Sequence, residues 1–276
     1  MLEGECSMGG YPVSGRVAVA TGGGSGMGRA CALELAARGC RVGVLDLDPA
    51  SAHEVVDEIT AAGGSALPVT IDVSKEADWL RAKSEVESGL GPVDIVANFA
   101  GRLFAGDPLE ISRESWIAAF ETNFLSVIES ARQFGPGMTE RGHGYFLSCA
   151  STAGLYPYSY DRLPYSVTKA ALISGMYSLY LYFRERNIGT SLLIPGPVST
   201  NFRSSMHFDG EARKLQVAGM AKVSADQVGK DVVDAIESGT FIIMTHEQGS
   251  EDFRQLAADP QAYLEMAFDR LGTSIS

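Results

Sequence analysis

Thr21-Gly22-Gly23-Gly24-Ser25-Gly26-Met27-Gly28 is the stretch whose reading decides the fold of this 276-residue chain. It joins a β-branched run, Arg16 to Thr21 (RVAVAT), to a helical pattern from about Met27 to Arg38 that Gly39 ends. Glycines between a strand and a helix let the backbone turn tightly and approach a pyrophosphate, whose charge meets N–H groups at the helix N-terminus. The spacing is GxxxGxG at Gly22, Gly26 and Gly28. It is not GxGxxG, because Met27 and Arg29 stand where the last glycine would fall, and it is not a Walker A loop, because no Lys follows the glycines.

Outward from this loop, short β-branched runs alternate with longer helical patterns, as crossover units of a parallel sheet do. Strands are predicted at 16–21, 41–47, 66–72, 93–99, 144–149, 190–194 and 241–245. Helices are predicted at 27–38, 50–62, 76–89, 113–141, 164–187 and 228–237, with a further helical pattern over 251–271 that Pro260 interrupts. The expectation is an α/β fold: one doubly wound, Rossmann-type parallel sheet of about seven strands with helices on both faces. Residues 1–14 read as a flexible tail and 15–276 as a single domain, with an irregular substrate loop at 199–224.

The 22 Lys and Arg against 34 Asp and Glu leave a net charge of −12. A binder of nucleic acid or of an anionic membrane surface needs clustered basic residues, and no window carries such a run. No stretch of about 18 apolar residues reads as a membrane span, and residues 1–14 lack the basic and apolar regions of a signal peptide. Cys6, Cys31, Cys40 and Cys149 form no CxxC pair, so reduced thiols in the cytoplasm are expected and no metal site is assigned. Cys149 reads as a packed strand-end residue.

Asp46 ends the second strand, 18 residues beyond Gly28. A carboxylate there accepts hydrogen bonds from adenosine ribose hydroxyls and repels a 2′-phosphate. Ser25 and Leu47 occupy the positions where a basic side chain would meet that phosphate, so NAD is favoured over NADP. Further along, Tyr165-Ser-Val-Thr-Lys169 opens the helix after the fifth strand. Residues four apart share a helix face, so Tyr165 and Lys169 can address one pocket. A phenol ionises near 10, and use as a base at neutral pH asks for a downward shift of roughly three units, about 4 kcal/mol, which a nearby ammonium favours.

On these residues the chain resembles the short-chain dehydrogenase/reductase family, in its branch of compact chains. The resemblance runs from Arg16 to about Thr245. It implies that Gly22, Ser25, Gly26, Met27 and Gly28 hold the cofactor's pyrophosphate, Asp46 and Leu47 its adenosine ribose, and Asp72 and Val73 its adenine. Asn98-Phe-Ala100-Gly101 is similar to the family's NNAG, with Phe99 in place of the second Asn. Pro195-Gly196-Pro-Val198-Ser-Thr200 is similar to PGxVxT, whose Val and Thr engage the nicotinamide carboxamide. The catalytic set implied is Ser151, Tyr165, Lys169 and Asn123: Tyr165 as general base or acid, Ser151 as donor to the substrate oxygen, Lys169 on Tyr165 and the nicotinamide ribose, and Asn123 holding a water beside Lys169. Ser148 is the rival for the serine's place.

The implied activity is NAD-dependent interconversion of a secondary alcohol and a ketone. The alternatives are a sugar-nucleotide epimerase or dehydratase of the extended branch, and an NAD-binding sensor without turnover. Leu103, Phe104, Leu155, Tyr156, Tyr158, Met206, His207 and Phe208 are expected around a bulky apolar or aromatic substrate. Arg162 and Arg203 could meet an anionic group, but they read first as solvated loop charges. The helices at 113–141 and 164–187 carry apolar surplus, from Met176 to Phe183 above all, and the resemblance implies that they form the interface of a homodimer or homotetramer.

Overall fold

The computed structural model describes residues 10–157, 160–202, 206–210 and 221–272, the side chains of 270–272 excepted. Strand β1 (Val17–Thr21) runs into helix α1 (Gly26–Ala37), β2 (Arg41–Asp46) into α2 (Pro49–Ala61), and β3 (Ser65–Thr70) into α3 (Glu76–Gly89). Then come β4 (Ile95–Asn98), a short β5 (Phe104–Gly106), α4 (Arg113–Phe120), a π-helical turn (Glu121–Leu125) and α5 (Ser126–Arg141). β6 (Gly144–Cys149) leads through a 3-10 turn (Thr152–Gly154) to α6 (Leu163–Arg184) and β7 (Ile188–Ile194). After the short strands β8 (Val198–Ser199), β9 (His207–Asp209) and β10 (Val223–Ser224) follow α7 (Ala225–Ser238), β11 (Ile242–Met244), α8 (Glu247–Ala258) and α9 (Pro260–Gly272).

Seven strands form one parallel sheet in the order β11-β7-β6-β4-β1-β2-β3. The order reverses between β1 and β4, and ligands of such sheets bind in the crevice beyond the carboxyl ends at that reversal. Register makes those ends level: Thr21 pairs with Leu45 and with Asn98, and Asn98 with Ser148. The glycine loop, Asp46 and the loops after β4 and β6 therefore open on one side of the sheet.

Period-two alternation explains the two layers. Ala18, Ala20, Val42 and Val44 face a core shared with Cys31, Leu35, Val55, Val232 and Ile236 of α1, α2 and α7. Val17, Val19, Leu45 and Val96 face the opposite core with Trp79, Phe134, Met138 and Phe183 of α3, α5 and α6. Pro68 sits in β3, at the edge of the sheet, where its missing N–H breaks no central ladder.

Three features differ from the sequence expectation. The predicted helix over 113–141 is interrupted by the π-helical turn, which brings Asn123 into the interior; both flanking helices keep an apolar periodicity, so the insertion leaves no mark on the pattern. Residues 11–14 are not loose. Tyr11 donates its N–H to the Ile236 carbonyl at 3.0 Å, its hydroxyl meets His143 Nδ1 at 3.1 Å, and Val13 is buried. Within 199–224, β9 pairs with β5 and β10 with β8, giving two small parallel ribbons the sequence did not announce; residues 203–205 and 211–220 lie outside the described residues.

Candidate active site

Gly22 and Gly26 have φ of +62° and +53°, left-handed values open to glycine. Gly28 lies so close beneath Gly22 that a Cβ would overlap the Gly22 carbonyl. Ser25 begins α1 without a side-chain cap, so the first-turn N–H groups face the cleft with no competing oxygen from that residue. A backbone cradle of this kind suits a phosphate. Thr21 Oγ1 accepts from both the Phe99 and Ala100 N–H groups at 3.1 Å, which ties the loop after β4 to the glycine loop.

Asp46 Oδ2 accepts from the Gly24 N–H at 2.8 Å and Oδ1 from the Asp48 N–H at 3.1 Å. Its carboxylate is thereby fixed at the mouth of the cradle, with exposed Leu47 beside it. Asp72 and Val73 line the cleft next to them, and Trp79 Nε1 donates to the Val73 carbonyl at 2.9 Å, so the core of α3 holds this wall. Ala100 and Gly101 line it too. Asn98 is buried behind them, its amide 3.4 Å from the Leu147 carbonyl and from Ser148 Oγ. From that position Asn98 braces the wall from behind.

Ser151 lines the cleft and starts the 3-10 turn, its Oγ accepting from the Ala153 N–H at 3.2 Å. Ser148 is fully buried within β6, so of the two serines Ser151 is the one that lines the cleft. The 3-10 turn lies on α6 through Gly154, where a Cβ would stand 2.6 Å from the Ala170 nitrogen. Glycine at that position is what lets the serine's turn approach the helix that carries Tyr165 and Lys169.

Tyr165 and Lys169 both line the cleft and are buried. Lys169 Nζ sits 5.8 Å from the Tyr165 ring centroid and donates to the Cys149 carbonyl at 2.7 Å. Burial pushes the Lys169 ammonium below its usual pKa range. Burial likewise pushes the Cys149 thiol up to about 11, which removes it as a nucleophile and matches its reading as a packed strand-end residue. What the sequence missed is that the carbonyl of this cysteine orients the lysine.

Asn123 donates through Nδ2 to the Arg102 carbonyl at 3.0 Å and to Thr168 Oγ1 at 3.1 Å, and accepts from the Arg102 N–H at 2.8 Å through Oδ1. Both amide protons are thus engaged by protein groups. Its side chain clamps the segment after Gly101 to α6, beside Lys169, and is not free to donate to a water.

Pro195, Gly196, Val198 and Thr200 line the cleft across from the glycine loop, and Thr200 packs against Gly26. Gly196 donates its N–H to Thr245 Oγ1 at 3.0 Å, and Thr245 meets His246 Nδ1 at 2.7 Å. Of the expected substrate-side residues, Leu103 and Tyr156 line the cleft. Met206 packs against the cluster of Leu103, Ala153 and Tyr165 beside the cleft, whereas Phe104, Leu155, His207 and Phe208 do not line it; Phe104 and His207 pack on each other in the β5–β9 ribbon, with ring centroids 5.7 Å apart. Tyr158 and Arg203 lie outside the described residues.

The sequence also missed the far wall. Gln248, Asp252, Tyr263 and Ala267 come from α8 and α9, and Arg162, expected in solvent, is 7% exposed and lines the same cleft. The residue signal was weak because these side chains reach the site through tertiary folding alone. The whole cleft is about 1830 Å³, beyond the roughly 300–1,000 Å³ of a site for one small ligand, and so roomy enough for a dinucleotide and a substrate.

A parallel sheet whose first crossover carries this cradle, with an acid at the end of the second strand, defines a Rossmann-type nucleotide-binding oxidoreductase. The chain belongs to the short-chain dehydrogenase family, whose model matches residues 16–209. It is 28% identical over 230 residues to a 2,5-dichloro-2,5-cyclohexadiene-1,4-diol dehydrogenase of Sphingobium indicum, covering 83% of this chain and 89% of that one. It is 29% identical to the 2,3-dihydro-2,3-dihydroxybenzoate dehydrogenase of Bacillus subtilis, covering 91% and 97%. A short-chain dehydrogenase/reductase of Burkholderia phymatum, solved in complex with NAD, superposes with a TM-score of 0.84 at 28% identity, covering 91% and 96%. A metagenomic short-chain oxidoreductase solved with NADP gives 0.70 at 26%, covering 85% and 97%.

Proposed function

We propose that the protein is an NAD-dependent dehydrogenase that interconverts a secondary alcohol and a ketone, with Tyr165 as general base and acid. The observation that carries this reading is the buried ammonium of Lys169, aimed by the Cys149 carbonyl and standing 5.8 Å from the Tyr165 ring in the cleft that also holds Ser151. A positive charge this close to the ring favours the ionised phenol, which is the direction that use as a general base requires.

Gly22, Ser25, Gly26, Met27 and Gly28 would hold the pyrophosphate, Asp46 and Leu47 the adenosine ribose, and Asp72 and Val73 the adenine. Ala100, Gly101, Tyr165 and Lys169 would hold the second ribose, and Pro195, Gly196, Val198 and Thr200 the carboxamide. Hydride acceptance is the chemistry that bound NAD supplies. Tyr165 takes the proton of the substrate hydroxyl as hydride leaves the carbinol carbon, and returns it in the reverse direction. Ser151 donates a hydrogen bond to the same oxygen and stabilises its developing charge. Asn123 acts through position, tying the Arg102 backbone to Thr168 of α6, the residue next to Lys169.

The two relatives whose names give cyclic diols as substrates support a ring-borne secondary alcohol. Exposed Tyr177, Leu181 and Tyr182 on α6 support a homo-oligomer, although Met176 and Phe183, expected in that surplus, belong to the core. Three buried free thiols, Cys31, Cys40 and Cys149, support a reducing cytoplasmic setting. The test is Tyr165→Phe: turnover falls by about 10² to 10⁴ while NADH binding, read by nicotinamide fluorescence, stays within a few-fold. Dehydrogenase activity near that of the wild type would overturn the assignment.

A further inference from the structure

His246 lines the cleft at the start of α8, between two stretches of backbone. On one side its ring edge lies against Gly196, where a Cβ would stand 2.6 Å from Nδ1. On the other its Nε2 lies 2.8 Å from the Ala221 carbonyl. Gly196 belongs to the segment 195–200 that would meet the carboxamide, and Ala221 leads into β10. Two prolines flank Gly196 and have no N–H, so over 195–197 the Gly196 amide is the one main-chain donor by which a neighbour can hold the segment.

The hydrogen bonds around the ring run in one direction. A carbonyl only accepts, so Nε2 carries the proton it donates to Ala221. In the neutral ring that leaves Nδ1 an acceptor, and the Thr245 hydroxyl, 2.7 Å away, donates to it. The Thr245 oxygen in turn accepts from the Gly196 N–H at 3.0 Å. One chain therefore passes from the Gly196 amide through Thr245 and the imidazole to Ala221. Its two ends are also neighbours by strand pairing: Val198 stands opposite Val223, and the Val223 N–H donates to the Pro197 carbonyl at 3.1 Å. The Pro195 carbonyl accepts from the Thr152 N–H at 3.0 Å, which ties the same segment to the turn of Ser151.

We propose that His246 is a positioning residue for the nicotinamide end of the cofactor: through Thr245 and Gly196 it fixes the segment against which the carboxamide is seated. The proposal rests on the dehydrogenase reading above. Hydride transfer needs reacting atoms about 3–3.5 Å apart, and a misplacement of about 1 Å costs about 10²-fold even when its origin lies away from the chemistry. The imidazole suits the task because it is rigid and addresses two partners from opposite edges of one ring. A shorter side chain reaches only Thr245, and an apolar one reaches neither. The adenosine half of the cofactor is held by the glycine loop and Asp46 on other elements, so a change at His246 should be felt at one end of the dinucleotide alone.

The test compares NADH with ADP-ribose, which carries the adenosine, the pyrophosphate and the second ribose but no nicotinamide, by calorimetric titration of the full-length protein. The wild type binds NADH more tightly than ADP-ribose. His246→Ala loses about three- to tenfold in NADH affinity, the worth of about one hydrogen bond, while ADP-ribose affinity stays within about twofold. Thr245→Val, which removes the connecting hydroxyl and nearly keeps the shape, gives the same selective loss. The double variant loses no more than either single one, because the two side chains act as one chain. His246→Asn, whose amide oxygen can still take the Thr245 proton, recovers part of the loss. Should His246→Ala fail to fold in a thermal melt, Thr245→Val and His246→Asn carry the test. A loss equal for both ligands, no loss for either, losses that add in the double variant, or a wild type that binds NADH no better than ADP-ribose overturns the proposal and leaves the dehydrogenase reading standing. A wild type that binds neither ligand sinks that reading and the proposal with it.

Discussion

An ammonium taken out of water destabilises the fold that holds it, and Lys169 is such a group, 4% exposed with its pKa lowered by burial. The sign of the pH effect follows. Between the lowered pKa and the ordinary value near 10.4 the unfolded chain binds the extra proton, so wild-type stability gains as pH rises through that window. Lys169→Met, similar in length and uncharged, lacks this gain. We expect its Tm at pH 7 to equal or exceed that of the wild type, the margin to shrink by pH 10, and its kcat to drop about 10²-fold or more. Asp46 makes a second prediction at this scale. Its carboxylate, fixed by the Gly24 and Asp48 N–H groups, should give a kcat/KM ratio for NAD over NADP of about 10² or more. Asp46→Ser with Leu47→Arg should reverse the ratio, and unchanged preference in steady-state kinetics would show that Asp46 does not read the ribose.

Among the elements, the approach of α1 to β1 depends on Gly28. A methyl there meets the Gly22 carbonyl, which is backbone and cannot turn aside. Gly28→Ala should destabilise the protein by about 1–3 kcal/mol, as overpacking does, and weaken NADH binding in fluorescence titration. The π-helical turn carries a similar dependence: Asn123→Ala strips partners from the Arg102 N–H and carbonyl and from Thr168, and should lower stability by about 2–3 kcal/mol in urea unfolding. These two cases also mark what could be read beforehand. Strands such as Gly144–Cys149 and helices such as Glu76–Gly89 were legible to the residue, because alternation and helical period record which face is buried. The glycine loop and the Tyr165–Lys169 pair were legible because their chemistry is local in sequence. The π-helical turn was hidden, since inserting one residue between two amphipathic helices preserves the pattern of each. Arg162 and Asp252 were hidden because the burial of a charged side chain is decided by tertiary packing, which no local periodicity records.

At the scale of the whole molecule, the helices on either face of the sheet differ in what they leave uncovered. α6 buries Met176 and Phe183 but turns Leu181, 66% exposed, outward with Tyr177 and Tyr182. If copies of the chain pack there, Leu181→Glu should convert the oligomer to a monomer in size-exclusion chromatography with light scattering, and an unchanged mass would place the interface elsewhere. The substrate pocket, with walls from α6, α8 and the turn after β6, would keep its geometry in such a monomer only if the interface does not support α6.

The two ends of the sheet bear on the same question. One border is β3, which carries Pro68, and the other is β11, three residues long. A border strand with its main-chain groups unengaged is a template on which another chain can lay a strand, the first step toward fibrous aggregation. Proline interrupts that template on one side and brevity limits it on the other. Growth by strand addition is therefore blunted in both directions.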